Sequence, residues 1–92
     1  MMFVVHKIEL QAGVGNYSLP IGSELLRGAI QHGKPMLWYK RPVQPAGFSN
    51  KILLLTGTGH DQEEAPAGAR WNFISTMLTA DQAFVFHLFE LV

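Results

Sequence analysis

The segment Thr56-Gly57-Thr58-Gly59-His60 has the residue types with the clearest potential for ligand chemistry in this sequence. Its glycines let backbone amides approach a ligand closely, and successive amides can form a nest that holds an anion. The threonine hydroxyls and the His60 imidazole offer further hydrogen bonds to a phosphate or a carboxylate. We therefore predict that these five residues form a ligand-binding turn. The alternative is a glycine bulge that ends a strand, with Thr58 or His60 bonding inside the turn.

An aromatic residue near this turn would complete a site for a nucleotide or another phosphate-bearing small molecule. We predict Trp38 as a ligand-binding residue, with Trp71 as the other candidate. Their rings, with Tyr39 and Phe73, can stack on a base, and the neighbouring cations are Lys34, Lys40, Arg41 and Arg70. The alternative is that these aromatic residues build the core or an interface, as they more often do in a small β domain.

Other catalytic and metal chemistry has little support in the sequence. There is no cysteine, which excludes disulfides, thiolate zinc sites and cysteine nucleophiles. No pair of histidines has metal-ligand spacing, and no serine stands in a Gly-Xxx-Ser-Xxx-Gly turn. The adjacent Glu63 and Glu64 are typical of a solvated loop. We predict a protein that is not an enzyme, with no catalytic residues, no metal and no cofactor.

Length and composition indicate one domain with apolar side chains exposed on its surface. The 92 residues suffice for a single domain over residues 1–92 with one core. Apolar residues make up 48% and charged residues only 15%, against roughly 25% in an average domain. Few charges on a small body leave apolar side chains near the surface, and we therefore predict a homo-oligomer or a complex with a host protein.

The charges sum to zero but are unevenly distributed along the chain. The zero net charge argues against nucleic acid as a partner. Basic residues dominate up to residue 51, and acidic residues dominate after it. Either strands from both halves interleave and mix the charges, or the surface is dipolar and supports head-to-tail self-association.

The sequence shows no signal for secretion or membrane insertion. Residues 1–10 lack the basic segment and the long apolar run of a signal peptide. No apolar run approaches the roughly 20 residues of a membrane span. We therefore expect a cytoplasmic location in a host cell and no contact with a membrane.

The positions of apolar residues predict a mostly β domain. Alternating or continuously apolar segments predict six to seven short strands, at residues 3–10, 17–19, 24–31, 36–40, 51–58, 71–78 and 83–91. Pro20 places the second segment at a sheet edge. Residues 24–31 also fit one short helix capped by Ser23, and that alternative stays open. The pattern predicts a small antiparallel barrel or sandwich with at most one short helix.

The connections follow from glycine and proline. His32-Gly33 predicts a tight hairpin turn between the third and fourth strands. Residues 41–50 and 59–69 predict loops, and residues 79–82 predict a turn. The closing strand is apolar on both faces, with His87 in it. It therefore lies between two layers, or one of its faces packs on a second subunit.

Several short motifs occur in a fixed order along the chain. They are Lys7-Ile8-Glu9-Leu10, residues 20–26, Gly33-Lys34-Pro35-Met36-Leu37-Trp38, residues 56–60 and Val85-Phe86-His87-Leu88-Phe89-Glu90. In this order they resemble a family of short phage and prophage proteins of unknown function. The resemblance covers nearly the whole chain and implies a phage origin and a shared fold, but no activity.

Three functions fit these expectations. The first is a non-enzymatic binding or inhibitor protein that self-associates and acts on a host factor, for instance in counter-defence. The second is a sponge that holds a nucleotide or another phosphate-bearing molecule at residues 56–60. The third is a virion or assembly component.

Overall fold

The structure is a computed structural model that describes residues 2–92, and in that range it contains seven strands and no helix. The strands are β1 (Phe3–Glu9), β2 (Gly13–Pro20), β3 (Glu24–Gln31), β4 (Lys34–Pro42), β5 (Phe48–Gly57), β6 (Trp71–Leu78) and β7 (Val85–Leu91). The predicted all-β class and the number of strands are confirmed.

The strands form two antiparallel sheets. A three-stranded sheet has the order β1-β4-β3, and a four-stranded sheet has the order β2-β5-β7-β6. They pack face to face as a sandwich and do not close into a barrel, so the first of the two predicted architectures is wrong and the second is confirmed. As predicted from Pro20, β2 lies at an edge of its sheet.

Residues 24–31 form a strand, and the helix alternative for them is wrong. β3 pairs with β4 from Glu24 opposite Lys40 to Gln31 opposite Lys34. The predicted hairpin turn is present, with positive φ angles of 52° at His32 and 76° at Gly33. Two such residues give a turn whose twist matches that of the flanking strands. The 41–50 loop is shorter than predicted, because β4 extends to Pro42, where it pairs with Phe3 of β1.

The core lies between the inner faces of the two sheets. Its buried side chains are Leu10, Leu37, Leu53, Leu55, Met77 and Leu88. Leu37 and Leu88 are fully buried and lie in the middle strands of their sheets. Because β3 has Gly28 where it faces β6, Met77 and Leu88 can approach its backbone closely.

The strand β5 is buried on both of its faces, as its continuous apolar sequence predicts. Leu53 and Leu55 point into the core, whereas Leu54 and Thr56 point to the outer face of the four-stranded sheet. Both outward side chains are nevertheless buried, at 3% and 9% exposure. The loop between β5 and β6 lies over them, so one layer of this sandwich is completed by a loop and not by a third sheet.

The two sheets separate the charges of the chain. Only β2 of the first half joins the strands of the second half, and β2 has no charged residue. The three-stranded sheet therefore has five basic and two acidic residues, a net charge of +3, from Lys7, Glu9, Glu24, Arg27, Lys34, Lys40 and Arg41. The four-stranded sheet and its loops have two basic and five acidic residues, a net charge of −3, from Lys51, Asp61, Glu63, Glu64, Arg70, Asp81 and Glu90. The dipolar interpretation of the sequence agrees with this arrangement, and the mixed one does not.

Asp81 organises the turn that joins β6 and β7. Its Oδ1 atom accepts hydrogen bonds from the Thr79 hydroxyl at 2.6 Å and from the Ala83 amide at 3.0 Å. The bond from Thr79, followed by that from Ala83, lowers the pKa of Asp81 below its ordinary value. The ionised form is thus favoured in the folded state, and its contribution to stability is present above the unfolded-state pKa.

We expect the stabilising effect of ionised Asp81 to disappear as the pH falls through its lowered folded-state pKa. The melting temperature of Asp81→Asn should therefore lie below that of the wild type at neutral pH, and the two should converge in acid. Thermal unfolding of both proteins between about pH 7 and pH 2 measures this difference. A difference that does not change with pH would contradict the assigned role of the charge.

Candidate functional site

A cavity of about 420 Å³ lies on the outer face of the four-stranded sheet, where β5 ends. The predicted turn forms part of its wall. Its lining residues are Leu54, Thr56, Gly57, Thr58, Gly59, His60, Gln62, Glu63, Glu64, Trp71, His87 and Phe89. The structure thus brings all five residues of the predicted turn together around one cavity.

The floor of this cavity is formed by outward side chains of two neighbouring strands. Leu54 of β5 lies opposite Phe89 of β7, and Thr56 lies opposite His87. Residues that are paired across antiparallel strands point to the same face. The cavity therefore has a floor with an apolar half and a polar half.

The loop that covers the floor is attached by two hydrogen bonds. Gln62 donates from Nε2 to the Thr56 hydroxyl at 2.8 Å, and Trp71 donates from Nε1 to the carbonyl of Glu63 at 3.2 Å. These bonds connect the loop to β5 at one point and to the start of β6 at another. The Trp71 ring thereby forms one side of the cavity.

His87 is held on both sides by hydroxyl groups. Its Nε2 atom lies 2.7 Å from the hydroxyl of Thr58, and its Nδ1 atom lies 3.1 Å from the hydroxyl of Thr76. Each hydroxyl can donate or accept, so both ring nitrogens are satisfied in either neutral tautomer. The imidazole is consequently fixed as part of the cavity wall. Its polar neighbours come from the turn and from β6, and no sequence motif connects these three residues.

His60 folds back over the end of β5. A Cβ atom added at Gly57 would lie 2.9 Å from Cε1 and 3.0 Å from Nδ1 of the His60 ring. The backbone amide of His60 also donates to the carbonyl of Gly57 at 3.3 Å. The imidazole therefore packs directly against the Gly57 backbone, whose φ angle is not positive.

The turn does not present a free nest of amides to a ligand. The amide of Thr58 donates to the carbonyl of Val85 at 3.1 Å, and the amide of His60 bonds to Gly57. Of the internal bonds that the alternative interpretation considered, from Thr58 or His60, the structure has the one from His60, whereas the Thr58 amide bonds to β7. The groups that remain for a ligand are the side chains around the cavity.

The charge of the lining is unfavourable for a phosphate group. Glu63 and Glu64 line the cavity, and neither lysine nor arginine does. A dianionic phosphate would therefore meet carboxylates without a compensating cation, which is a repulsive arrangement. The cavity suits a neutral or positively charged molecule.

Trp38 and Trp71 lie in different parts of the sandwich. Trp71 lines the cavity, whereas Trp38 lies in β4 of the three-stranded sheet and does not line it. Trp38 is paired with Lys7 in the neighbouring strand, and the Lys7 ammonium lies 6.0 Å from the centre of its ring. The structure therefore brings Trp71, and not Trp38, to the predicted turn.

The other two histidines lie outside the cavity. His6 makes an edge-to-face contact with Tyr39, with ring centres 6.2 Å apart, and His32 lies in the β3–β4 turn. Within residues 2–92 no three histidine or carboxylate side chains are grouped so that they could hold a metal ion. Over the same residues no helix is long and apolar enough to cross a membrane.

Comparison with known proteins gives one family match. The model of a domain of unknown function, DUF7352, matches residues 1–92. No curated protein and no solved structure matches the chain. The match covers the full length of the sequence, and its description contains no activity.

Proposed function

The chain belongs to the DUF7352 family, a domain of unknown function, and we propose that it is a binding protein that holds a small molecule in the cavity of the four-stranded sheet. The observation that supports this proposal is the cavity itself, which combines an aromatic wall with several hydrogen-bonding side chains. Binding sites for small molecules are concave, largely apolar and equipped with a few polar groups that fix orientation.

The ligand that best fits the lining has a flat apolar part and a neutral or cationic polar part. Leu54, Trp71 and Phe89 would contact the flat part, since aromatic and aliphatic side chains exclude water from it. Gln62 and the carboxylates of Glu63 and Glu64 would accept hydrogen bonds from an amine. This preference differs from the phosphate-bearing ligand that the glycine turn suggests.

The test is thermal unfolding in the presence of four probes, with tryptophan fluorescence as a second readout for the three probes that contain no indole. Tryptamine supplies a flat ring with a cation, adenosine supplies a neutral base, and AMP adds a phosphate to adenosine. Inorganic phosphate is the fourth probe. At a hundredfold excess over the dissociation constant, a ligand stabilises the folded state by about 2.7 kcal/mol, which raises the melting temperature by roughly ten degrees or more in a domain of this size.

We expect tryptamine or adenosine to stabilise the protein, and AMP to stabilise it less than adenosine does. His60→Ala should reduce the shift, because the His60 ring forms part of the wall. His32→Asn is the matched control, since it removes a histidine outside the cavity and asparagine tolerates the positive φ angle there. A larger shift with AMP or phosphate, or no shift with any probe, would contradict the proposal.

A second candidate function is the binding of a host protein. Phe73, Leu78 and Phe84 are 55%, 48% and 63% exposed, and all three belong to β6 or to the turn that follows it. Phe73 and Leu78 lie on the same face of the sheet, because their register partners Phe89 and Val85 do, and exposed apolar residues on one face indicate a protein interface. This candidate corresponds to a phage inhibitor acting in the host cytoplasm, and its phage origin is supported by the sequence resemblance alone. We expect Phe84→Asp to abolish capture of such a host protein while the melting temperature stays within a degree or two.

A role in the virion or its assembly is the third candidate. No feature of the fold favours it over the first two. Mass spectrometry of purified particles would detect the chain if this role is correct.

A further inference from the structure

We propose that copies of this chain associate head to tail, with the outer face of the three-stranded sheet of one copy on the outer face of the four-stranded sheet of the next. The inference goes beyond the proposed ligand binding, which concerns a single copy. It depends on the separation of charge between the two sheets.

The basic surface is the outer face of the three-stranded sheet. At its centre Trp38 of β4 is flanked by Lys7 of β1 and Arg27 of β3, which are its register partners on the two sides. Arg27 forms no ion pair within residues 2–92, and the Lys7 ammonium donates to the amide oxygen of Gln31 at 2.6 Å. Both therefore retain their full charge for a partner.

The two acidic residues of this sheet are already paired. Glu9 lies 3.5 Å from Lys34, and Glu24 lies 3.9 Å from Lys40. These pairs are exposed and lie towards the ends of the strands. The unpaired charge at the centre of the face is consequently positive.

The acidic surface lies on the opposite side of the molecule. The loop over the four-stranded sheet has Asp61, Glu63 and Glu64, and none of them forms an ion pair within the described residues. Arg70 is the one basic residue of this loop. Lys51 and Glu90 pair with each other at 3.1 Å on the core side of their sheet and leave the balance of the outer faces unchanged. The outer face of the three-stranded sheet has four basic and two acidic residues, and the loop has one basic and three acidic residues. The two outer faces therefore have net charges of +2 and −2, and this complementarity identifies a second copy as the partner.

The shape of the sandwich allows such a contact. Its extents are 41 × 36 × 15 Å, so each outer face is wide enough for the roughly 800 Å² that each partner buries in a standard interface. Both faces also have exposed apolar side chains. They are Phe3 and Val5 on the basic face, and Val14, Phe73 and Leu78 on the acidic face.

A contact between two different faces does not close on itself when the faces lie on opposite sides. Each copy in a pair retains one unused basic face and one unused acidic face. Such a heterologous interface produces an open series of oligomers, whereas a contact between identical faces produces a closed dimer. The proposal thus predicts a distribution of sizes that grows with concentration.

The test uses two variants, in each of which the charge of one outer face is reduced. Lys7→Gln with Arg27→Gln neutralises the basic face, and Glu63→Gln with Glu64→Gln neutralises the acidic face. Surface substitutions of this kind change stability little, which thermal unfolding verifies. Sedimentation velocity is then measured for the wild type, for each variant and for an equimolar mixture of the two variants, without ligand.

We expect the wild type to form a concentration-dependent series that dissociates when salt is raised from about 0.05 M to 0.5 M, because salt screens exposed charges. Each variant alone should associate at least tenfold more weakly than the wild type. The mixture should form a 1:1 pair and nothing larger, since only one functional basic face and one functional acidic face are present per pair.

Three results would overturn the proposal. One is a wild type that remains monomeric at millimolar concentration. Another is a closed dimer that both variants retain, which would indicate association through strand edges or apolar contacts. The third is binding of a single-stranded oligonucleotide that is lost in the Lys7 and Arg27 variant when the wild type does not self-associate. None of them would affect the ligand proposal, which is tested with His60→Ala.

Discussion

Leu88→Ala should lower the free energy of unfolding by about 2–5 kcal/mol. Leu88 is fully buried at the middle of β7, where it lies opposite Leu55 of β5 and Ser75 of β6. Removing three carbon atoms there leaves a cavity that rigid strands on both sides cannot fill. Because small domains are stabilised by only about 5–15 kcal/mol, the melting temperature should fall by ten degrees or more.

Chemical denaturation of the Leu88→Ala variant measures this loss. The separate Leu78→Ala variant, denatured in the same way, is the control. Leu78 lies at the end of β6 and is 48% exposed, so truncation removes the same atoms from a partly solvated position. We expect a loss of less than about 1 kcal/mol for Leu78→Ala. Equal losses for the two variants would mean that the core is not where the structure places it.

The elements that the sequence alone predicted well are those for which burial or turn formation follows from a few consecutive residues. β5 has four successive buried residues from Leu53 to Thr56, and its continuous apolar sequence predicted coverage of both faces. The β3–β4 turn was recognisable because His32-Gly33 occurs between two apolar segments. In such cases the local sequence contains the whole signal.

Residues 24–31 show where local information ends. Leu25, Leu26, Ala29 and Ile30 fit a short helix as well as a strand, and Gly28 disfavours the interior of either. The segment forms a strand because β4 supplies hydrogen-bonding partners along it. A preference that depends on a neighbouring strand cannot be read from the segment itself.

The candidate site was only half predictable for a similar reason. The turn at residues 56–60 is visible as a motif, but the floor and the far wall come from β7 and from the loop after the turn. In the sequence, Trp38 and Trp71 are equally good candidates for the aromatic residue of the site. The sheet topology distinguishes them, because Trp38 lies in the three-stranded sheet and Trp71 in the four-stranded sheet that forms the cavity. The engagement of the Thr58 and His60 amides likewise depends on tertiary structure.

Gly28→Val should destabilise the protein by about 1–3 kcal/mol, although valine is the better strand former. A Cβ atom at this position would lie 2.7 Å from Cε and 3.2 Å from Sδ of Met77, and 3.5 Å from Cδ2 of Leu88. The flexible end of Met77 can move away from one methyl group, so Gly28→Ala should cost less. Valine adds two further methyl groups at the point where β3 contacts β6, and the sheets must then separate.

The Gly28 carbonyl makes this separation costly. It accepts a hydrogen bond of 3.1 Å from the Ser75 hydroxyl, which connects the two sheets across the core. If β3 moves outward, that bond lengthens and a partly buried hydroxyl loses its acceptor. The gain in strand propensity from glycine to valine is at most about 1 kcal/mol. Overpacking together with the weakened hydrogen bond exceeds this gain, so the net effect is a loss of stability.

A double-mutant cycle with Met77→Ala distinguishes overpacking from a general effect on the strand. Met77→Ala alone should cost about 2–5 kcal/mol, because it leaves a cavity beside Gly28. In the double variant the valine side chain enters that cavity, so the combined loss should be smaller than the sum of the single losses by at least about 1 kcal/mol. Strictly additive losses would show that residue 28 and Met77 do not compete for the same space, and the assigned contact between the two sheets would then be incorrect.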